Sequence, residues 1–185
     1  MTIARKVADL PKWKPWPQVL CLPPMPLPMH GIAPRVVLGG QWWDAVRFAA
    51  YRSTNFHCIS CSTRRGSTDW CRWLEGHEVY DIDYLMGRMT YQQTVPLCQR
   101  CHKFIHFGYA RVMMEEGIIT FDEWNAIQDH GQRLITKYKL QKADMQRWSA
   151  EWRDWRLVIG DQEYPPLFAS LDEYQETYGK KHNLT

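Results

Sequence analysis

The spacing of apolar residues changes several times along the chain, and each change predicts a different element. In 41–54, "QWWDAVRFAAYRST", Trp42, Val46 and Ala49 share one stripe with Trp43 and Ala50 beside it, just after the Gly39-Gly40 break. That spacing predicts an amphipathic helix. The stretch "EGHEVYDIDYLMGRMTYQQTVPLC" (75–98) reads as a β-hairpin turning near Met86-Gly87. "QRCHKFIHFGYARVMMEEG" follows with helical composition and stops at Gly117, a C-cap position. Thr120 and Glu123 stand in capping-box spacing and open a second long helix, with Phe121, Trp124, Ile127, Leu134 and Tyr138 as its apolar face. Two short strands are expected around Gly160-Asp161. Ser170 and Glu173 cap a last short helix that ends at Gly179.

Ahead of this pattern lies a proline-rich stretch. Eight of the eleven prolines fall between Pro11 and Pro34, a density that argues against helix and toward extended polyproline geometry. Trp13, Trp16, Leu20, Leu22, Met25 and Leu27 in the same stretch point to an arm laid along the domain surface or along a protein partner, since disordered tails are poor in such residues. The expected organisation is therefore an extended arm over 1–38, a central domain over 39–117, and a helical extension with a short hairpin over 118–185.

Composition narrows the function classes. The 185 residues suffice for one domain with its own core or a small domain with extensions. Ten Trp and nine Tyr provide large buried area or stacking surfaces. A net charge of +3 permits a nucleic-acid partner without announcing one, and it argues against an acidic DNA mimic. No apolar run has the length of a membrane span, and "VLCLPPMPLPM" is interrupted by proline. Arg5 and Lys6 precede no continuous apolar region, so no secretory signal is read and a reducing, cytoplasmic setting is expected, with no membrane partner.

Four cysteines carry the first chemical signal. Cys58-x2-Cys61 and Cys98-x2-Cys101 form two knuckles with residues 62–97 between them. A two-residue spacer lets both thiolates of a pair reach one ion, and two pairs complete a tetrahedron, which predicts a closed structural zinc site. Such a site has no open coordination position and holds structure only. Cys21 and Cys71 lack knuckle partners and read as buried thiols. His57, beside Cys58, is a substitute ligand that four cysteines make unnecessary.

Histidines carry the second. His102 follows Cys101 directly and His106 lies four residues on, so on a helix both imidazoles leave from one face. His77 sits on the preceding hairpin. Three neutral nitrogen ligands leave room for water and phosphate, which suits metal-assisted phosphodiester hydrolysis. His30, His130 and His182 read as ordinary satisfied histidines, and Asp81 and Asp83 in "YDIDY" as a solvated strand face.

A Cys-x2-Cys knuckle, a histidine-bearing hairpin, and "LCQRCH" leading a helix together resemble the zinc-supported HNH endonucleases with their ββα-metal core. The resemblance covers about residues 55–112, and the wider chain, including "HGIAPRVVLGGQWWDAVR", looks like HNH-like proteins of bacteria and phages. It implies an α+β fold in which flanking helices and the arm surround that core. It implies His77 as first metal ligand, His102 as the final motif ligand, and His106 as the extra ligand seen in colicin-type DNases. Glu78 stands where the family has its general-base histidine. The motif asparagine has no match, Gln92 or Gln93 being the nearest amide. An alternative register makes His77 the base and Glu75 a ligand, since residues two apart share a strand face.

Two functions follow from the resemblance. One is a metal-dependent endonuclease acting on DNA, with RNA as another substrate, using structural Zn²⁺ and a second ion (Mg²⁺, Mn²⁺, Ni²⁺ or Zn²⁺) at His77, His102 and His106. Arg64, Arg65, Arg100, Lys103 and Arg111 would hold phosphates, although solvated surface charge explains the same residues. The other is a catalytically inactive zinc module, phage-encoded, that binds nucleic acid or inhibits a host defence or transcription complex, with the aromatic arm docking on protein.

Overall fold

The computed structural model describes residues 13–143 and 150–179; His182, residues 1–12 of the arm and 144–149 lie outside the described part. The architecture is α+β, with one four-stranded sheet of order β1-β2-β3-β4 and six α-helices among the described residues. The strands are β1 (Leu74–Asp83), β2 (Arg88–Cys98), β3 (Arg156–Ile159) and β4 (Gln162–Tyr164). The helices are α1 (Pro34–Val37), α2 (Gly39–Ser53), α3 (Gln99–Ile105), α4 (Phe107–Glu115), α5 (Phe121–Tyr138) and α6 (Leu171–Tyr174). The chain forms two compact units, and neither is a continuous stretch. The first takes residues up to Leu20, Val46–His77 and Thr94–Gln141; the second takes Cys21–Ala45, Glu78–Gln93 and the residues from Lys142 on.

In the first unit, the end of β2 runs without a linker into α3. Cys98 is both the last strand residue and the N-cap of α3, its Sγ accepting from the Cys101 N–H at 3.4 Å. Helix α5 opens with the expected capping box: Glu123 N–H donates to Thr120 Oγ1 (3.1 Å) and Thr120 N–H to Glu123 Oε2 (2.8 Å). Its buried stripe is Ile127, Gly131 and Leu134. Phe121 is 63% exposed and Tyr138 is also exposed, so the face is narrower than the apolar spacing implied. Gly131 sits on that stripe because Phe104 of α3 fills the space a Cβ would need: an added Cβ would lie 2.2 Å from the Phe104 ring. Other buried residues of this unit include Val19, Tyr51, Leu74, Val95, Leu97 and Ile119.

The expected single helix over 99–117 is two helices. His106 ends α3 and begins α4 with φ −90° and ψ 45°, outside helical geometry. Ile105, Phe107 and Gly108 are weak helix formers clustered at this point, which lowers the cost of a break. The His106 N–H still donates to the His102 carbonyl at 3.1 Å, keeping the two histidines one turn apart.

In the second unit, β1 and β2 turn at Tyr84–Gly87, with Asp83 Oδ1 accepting from the Leu85 and Met86 N–H groups. Gly87 has φ +66°, and a Cβ there would meet Ala150 at 2.9 Å, so both backbone and space require glycine. Parallel pairing of β2 with β3 (Arg88↔Arg156 to Thr90↔Val158) was not legible in the spacing; antiparallel β3–β4 was. A core of Met29, Ile32, Tyr84, Met89, Trp155 and Leu157 packs on this sheet. Ser170 caps α6 as expected, its Oγ accepting from Glu173 N–H at 3.2 Å.

The proline-rich stretch departs from a purely extended path. Pro17–Cys21 and Leu27–Met29 are short 3₁₀ turns, because proline fits the first position of a helical turn, where its missing N–H is not needed. Val19 and Met29 are fully buried, and Trp16 N–H donates to Ile59 O at 2.7 Å.

Candidate metal centres

Two groups of ligand side chains form within the first unit. Cys58, Cys61, Cys98 and Cys101 place their Sγ atoms within 4.8 Å of one another. Cys61 Sγ lies 3.7 Å from Cys98 Sγ. A tetrahedral zinc with Zn–S bonds of about 2.3 Å requires sulfur separations of about 3.8 Å, so the spacing suits an ion and is far too long for a disulfide. Three of the four are fully buried. Four soft sulfur donors this close together fit zinc. Hydrogen bonds from Cys101, Cys58 and Cys98 pull the Cys61 thiol far below its usual range, while those with Cys101, Cys58 and Cys61 raise Cys98 and those with Cys58 and Cys61 raise Cys101. A bound dication favours ionisation of all four ligands.

Sequence reasoning missed one component. His130, read as an ordinary histidine, has Nε2 3.3 Å from Cys101 Sγ. Trp70 packs on its ring with centroids 5.0 Å apart. A ring N–H directed at a ligating sulfur orients and stabilises the thiolate. A signal was present: His130 occupies the stripe of α5 that holds Ile127, Gly131 and Leu134, a polar residue on a buried face. His57 is not in the cluster; its Nδ1 lies within hydrogen-bond range of the Thr54 and Asn55 carbonyls. Cys21 and Cys71 are buried thiols, as read.

His77, His102 and His106 form the second group, with nitrogen atoms also within 4.8 Å of one another. Ring centroids are 5.4 Å apart for His77–His102, 5.2 Å for His77–His106 and 4.7 Å for His102–His106. The ring planes cross at 63° to 77°, so the imidazoles meet edge-on around a point instead of stacking. His77 is buried, His102 partly buried and His106 exposed, which leaves the group open on one side. Three neutral imidazoles with an open side match the donor set of catalytic zinc and of other borderline cations.

Glu75 supports this group. Its Oε2 lies 2.5 Å from His102 Nδ1, leaving Nε2 as the ligand atom and fixing the tautomer. Burial acts to raise the Glu75 pKa, but the hydrogen bonds and charge of His102 and a hydrogen bond from Trp73 outweigh it and hold the carboxyl below its ordinary value. Glu75 is thus engaged with a ligand of the group and is not one of its three members.

Glu78 is not in the group either. Consecutive strand side chains leave from opposite faces, and the Glu78 carboxylate is ion-paired with the Arg35 guanidinium. Gln92 and Gln93 are exposed. Arg64 and Arg65 are exposed in the turn after the first knuckle, Arg111 pairs with Glu115 along α4 at 3.1 Å, and Arg100 lies over the Trp70 ring at 4.7 Å. Asp81 and Asp83 are exposed. No helix among the described residues is long and apolar enough to cross a membrane. Comparison with known proteins returned no matching family model, no matching curated protein and no matching solved structure.

Proposed function

We propose that this chain is a metal-dependent phosphodiester hydrolase of the HNH type acting on DNA, with a four-cysteine zinc as scaffold and a three-histidine ion site as its centre. The observation that carries this reading is the convergence of His77, His102 and His106 beside a closed thiolate cluster. A divalent cation held there supplies Lewis-acid activation of the scissile phosphate and of water. The protein's own contribution is positioning. Glu75 holds His102 in one tautomer, β1 presents the buried His77, and the exposed side of His106 admits substrate. Glu78 is left out of the proton transfer, because its carboxylate is engaged by Arg35.

Plasmid DNA incubated with the purified chain and Mg²⁺, Mn²⁺ or Ni²⁺ tests the proposal. Cleavage is expected with at least one of these ions and is expected to fall by two orders of magnitude or more in His102→Ala. Cleavage that survives both His102→Ala and His77→Ala would reject the assignment. The same engagement of Glu78, with no asparagine at the motif position, favours a second reading: a zinc module that binds nucleic acid or a host protein without cutting. Absence of cleavage with every ion, together with retained zinc, is the result that reading expects.

A further inference from the structure

A concave pocket of about 410 Å³ opens in the first unit along α3, α5 and the segment before β1. Its size falls within the range of small-ligand sites. Its walls carry the indoles of Trp70 and Trp73 and the cations Arg72, Arg100 and Lys103, with Asp69 and Glu123 as the opposing carboxylates. Glu123 is held in the capping box of α5. Trp73 is 48% exposed, an unusual placement for an indole. It stands two residues before Glu75, the carboxylate that holds His102. Arg100 and Lys103 flank Cys101 and His102 on α3. The same short helix therefore contributes to the thiolate cluster, the histidine group and this pocket.

We propose that the pocket receives one unpaired nucleotide of a nucleic-acid strand, its base stacked on Trp73 and its phosphate held by Arg72, Arg100 and Lys103. The proposal rests on the hydrolase reading for its substrate class and adds the strand state. An exposed indole in a concavity offers a stacking face that a paired base, covered on both sides, cannot use. Three guanidinium and ammonium groups around it match a phosphate, not a neutral aromatic ligand. Lys103 of the pocket wall follows His102 directly on α3, and Trp73 stands two residues before Glu75, which holds His102, so a strand seated in the pocket lies next to the proposed ion site.

Fluorescence anisotropy of the zinc-loaded full chain, without added second metal, tests this with labelled 12-nucleotide single strands of DNA and of RNA and a DNA duplex of the same sequence. Tighter binding of a single strand than of duplex is expected, and the tighter of DNA and RNA identifies the strand. Trp73→Ala is expected to weaken it about ten-fold, and Trp73→Phe, which keeps a ring but lacks the N–H, to retain most of the affinity. Arg100→Gln is expected to reduce the slope of log affinity against log salt by about one. Zinc content equal to the parent chain certifies folding of each variant. Single-strand affinity unchanged by both Trp73→Ala and Arg100→Gln, or duplex preferred over both single strands, overturns the proposal. If Trp73-dependent binding persists while no ion supports cleavage, the pocket stands and the hydrolase reading falls. If cleavage persists while Trp73→Ala alters neither binding nor rate, the reverse holds.

Discussion

His102 is held from two sides: its Nδ1 by Glu75 and its backbone by α3, which is capped by Cys98 of the four-cysteine cluster. Removing the carboxylate should therefore loosen the ring without removing a ligand. Glu75→Gln is expected to weaken a second divalent ion by about 10- to 100-fold while zinc content stays at one per chain, both measured by calorimetric titration and metal analysis. Unchanged affinity would show that Glu75 does not orient His102. At this scale the cysteines and three histidines were legible because two-residue and four-residue spacings have direct geometric meaning. Glu75 and His130 were not assigned their roles, because an orienting contact depends on which side chains meet in space. Glu78 was misleading for a related reason: its place in the sequence matches a motif position, but Arg35 from a distant segment engages it.

Helices α3 and α5 meet where Gly131 accommodates the Phe104 ring. Gly131→Ala ordinarily favours a helix by about 1 kcal/mol, yet here the added methyl would overlap the ring, with a cost of about 1–3 kcal/mol. Net destabilisation in urea unfolding is expected, partly recovered by Phe104→Leu in the double variant. A stabilised single variant would mean the ring has room to move. The cap of α5 gives a second test. Thr120→Ala should cost about 1 kcal/mol. Backbone and side-chain hydrogen bonds from Thr120 lower the Glu123 pKa, so its contribution is present above the ordinary carboxylate value and is lost as pH falls through the lowered one. The stability gap between the parent chain and Glu123→Ala should close on acidification; a gap that widens would contradict the cap. Element types were legible wherever a cap, a period or a turn residue marked them, as at Thr120, Gly87 and Ser170. The break at His106 and the narrowed face of α5 were not, since both depend on neighbours supplied by tertiary packing.

The two units interleave along the sequence, and the thiolate cluster joins two segments of the first, Cys58–Cys61 and Cys98–Cys101. Parallel pairing of β2 with β3 needs a crossover connection, and nothing in local spacing announces which distant strands will meet. The proposed function requires two ions held in different ways, one enclosed by the four sulfurs and one open to solvent between the imidazoles. Anomalous diffraction from crystals grown with zinc and soaked in nickel or manganese locates both at once. Two peaks are expected, one at about 2.3 Å from all four sulfurs and one at about 2.0–2.2 Å from nitrogen atoms of His77, His102 and His106. A single peak at the sulfurs, with the three rings directed apart in the same map, would contradict the ion site and the hydrolase with it.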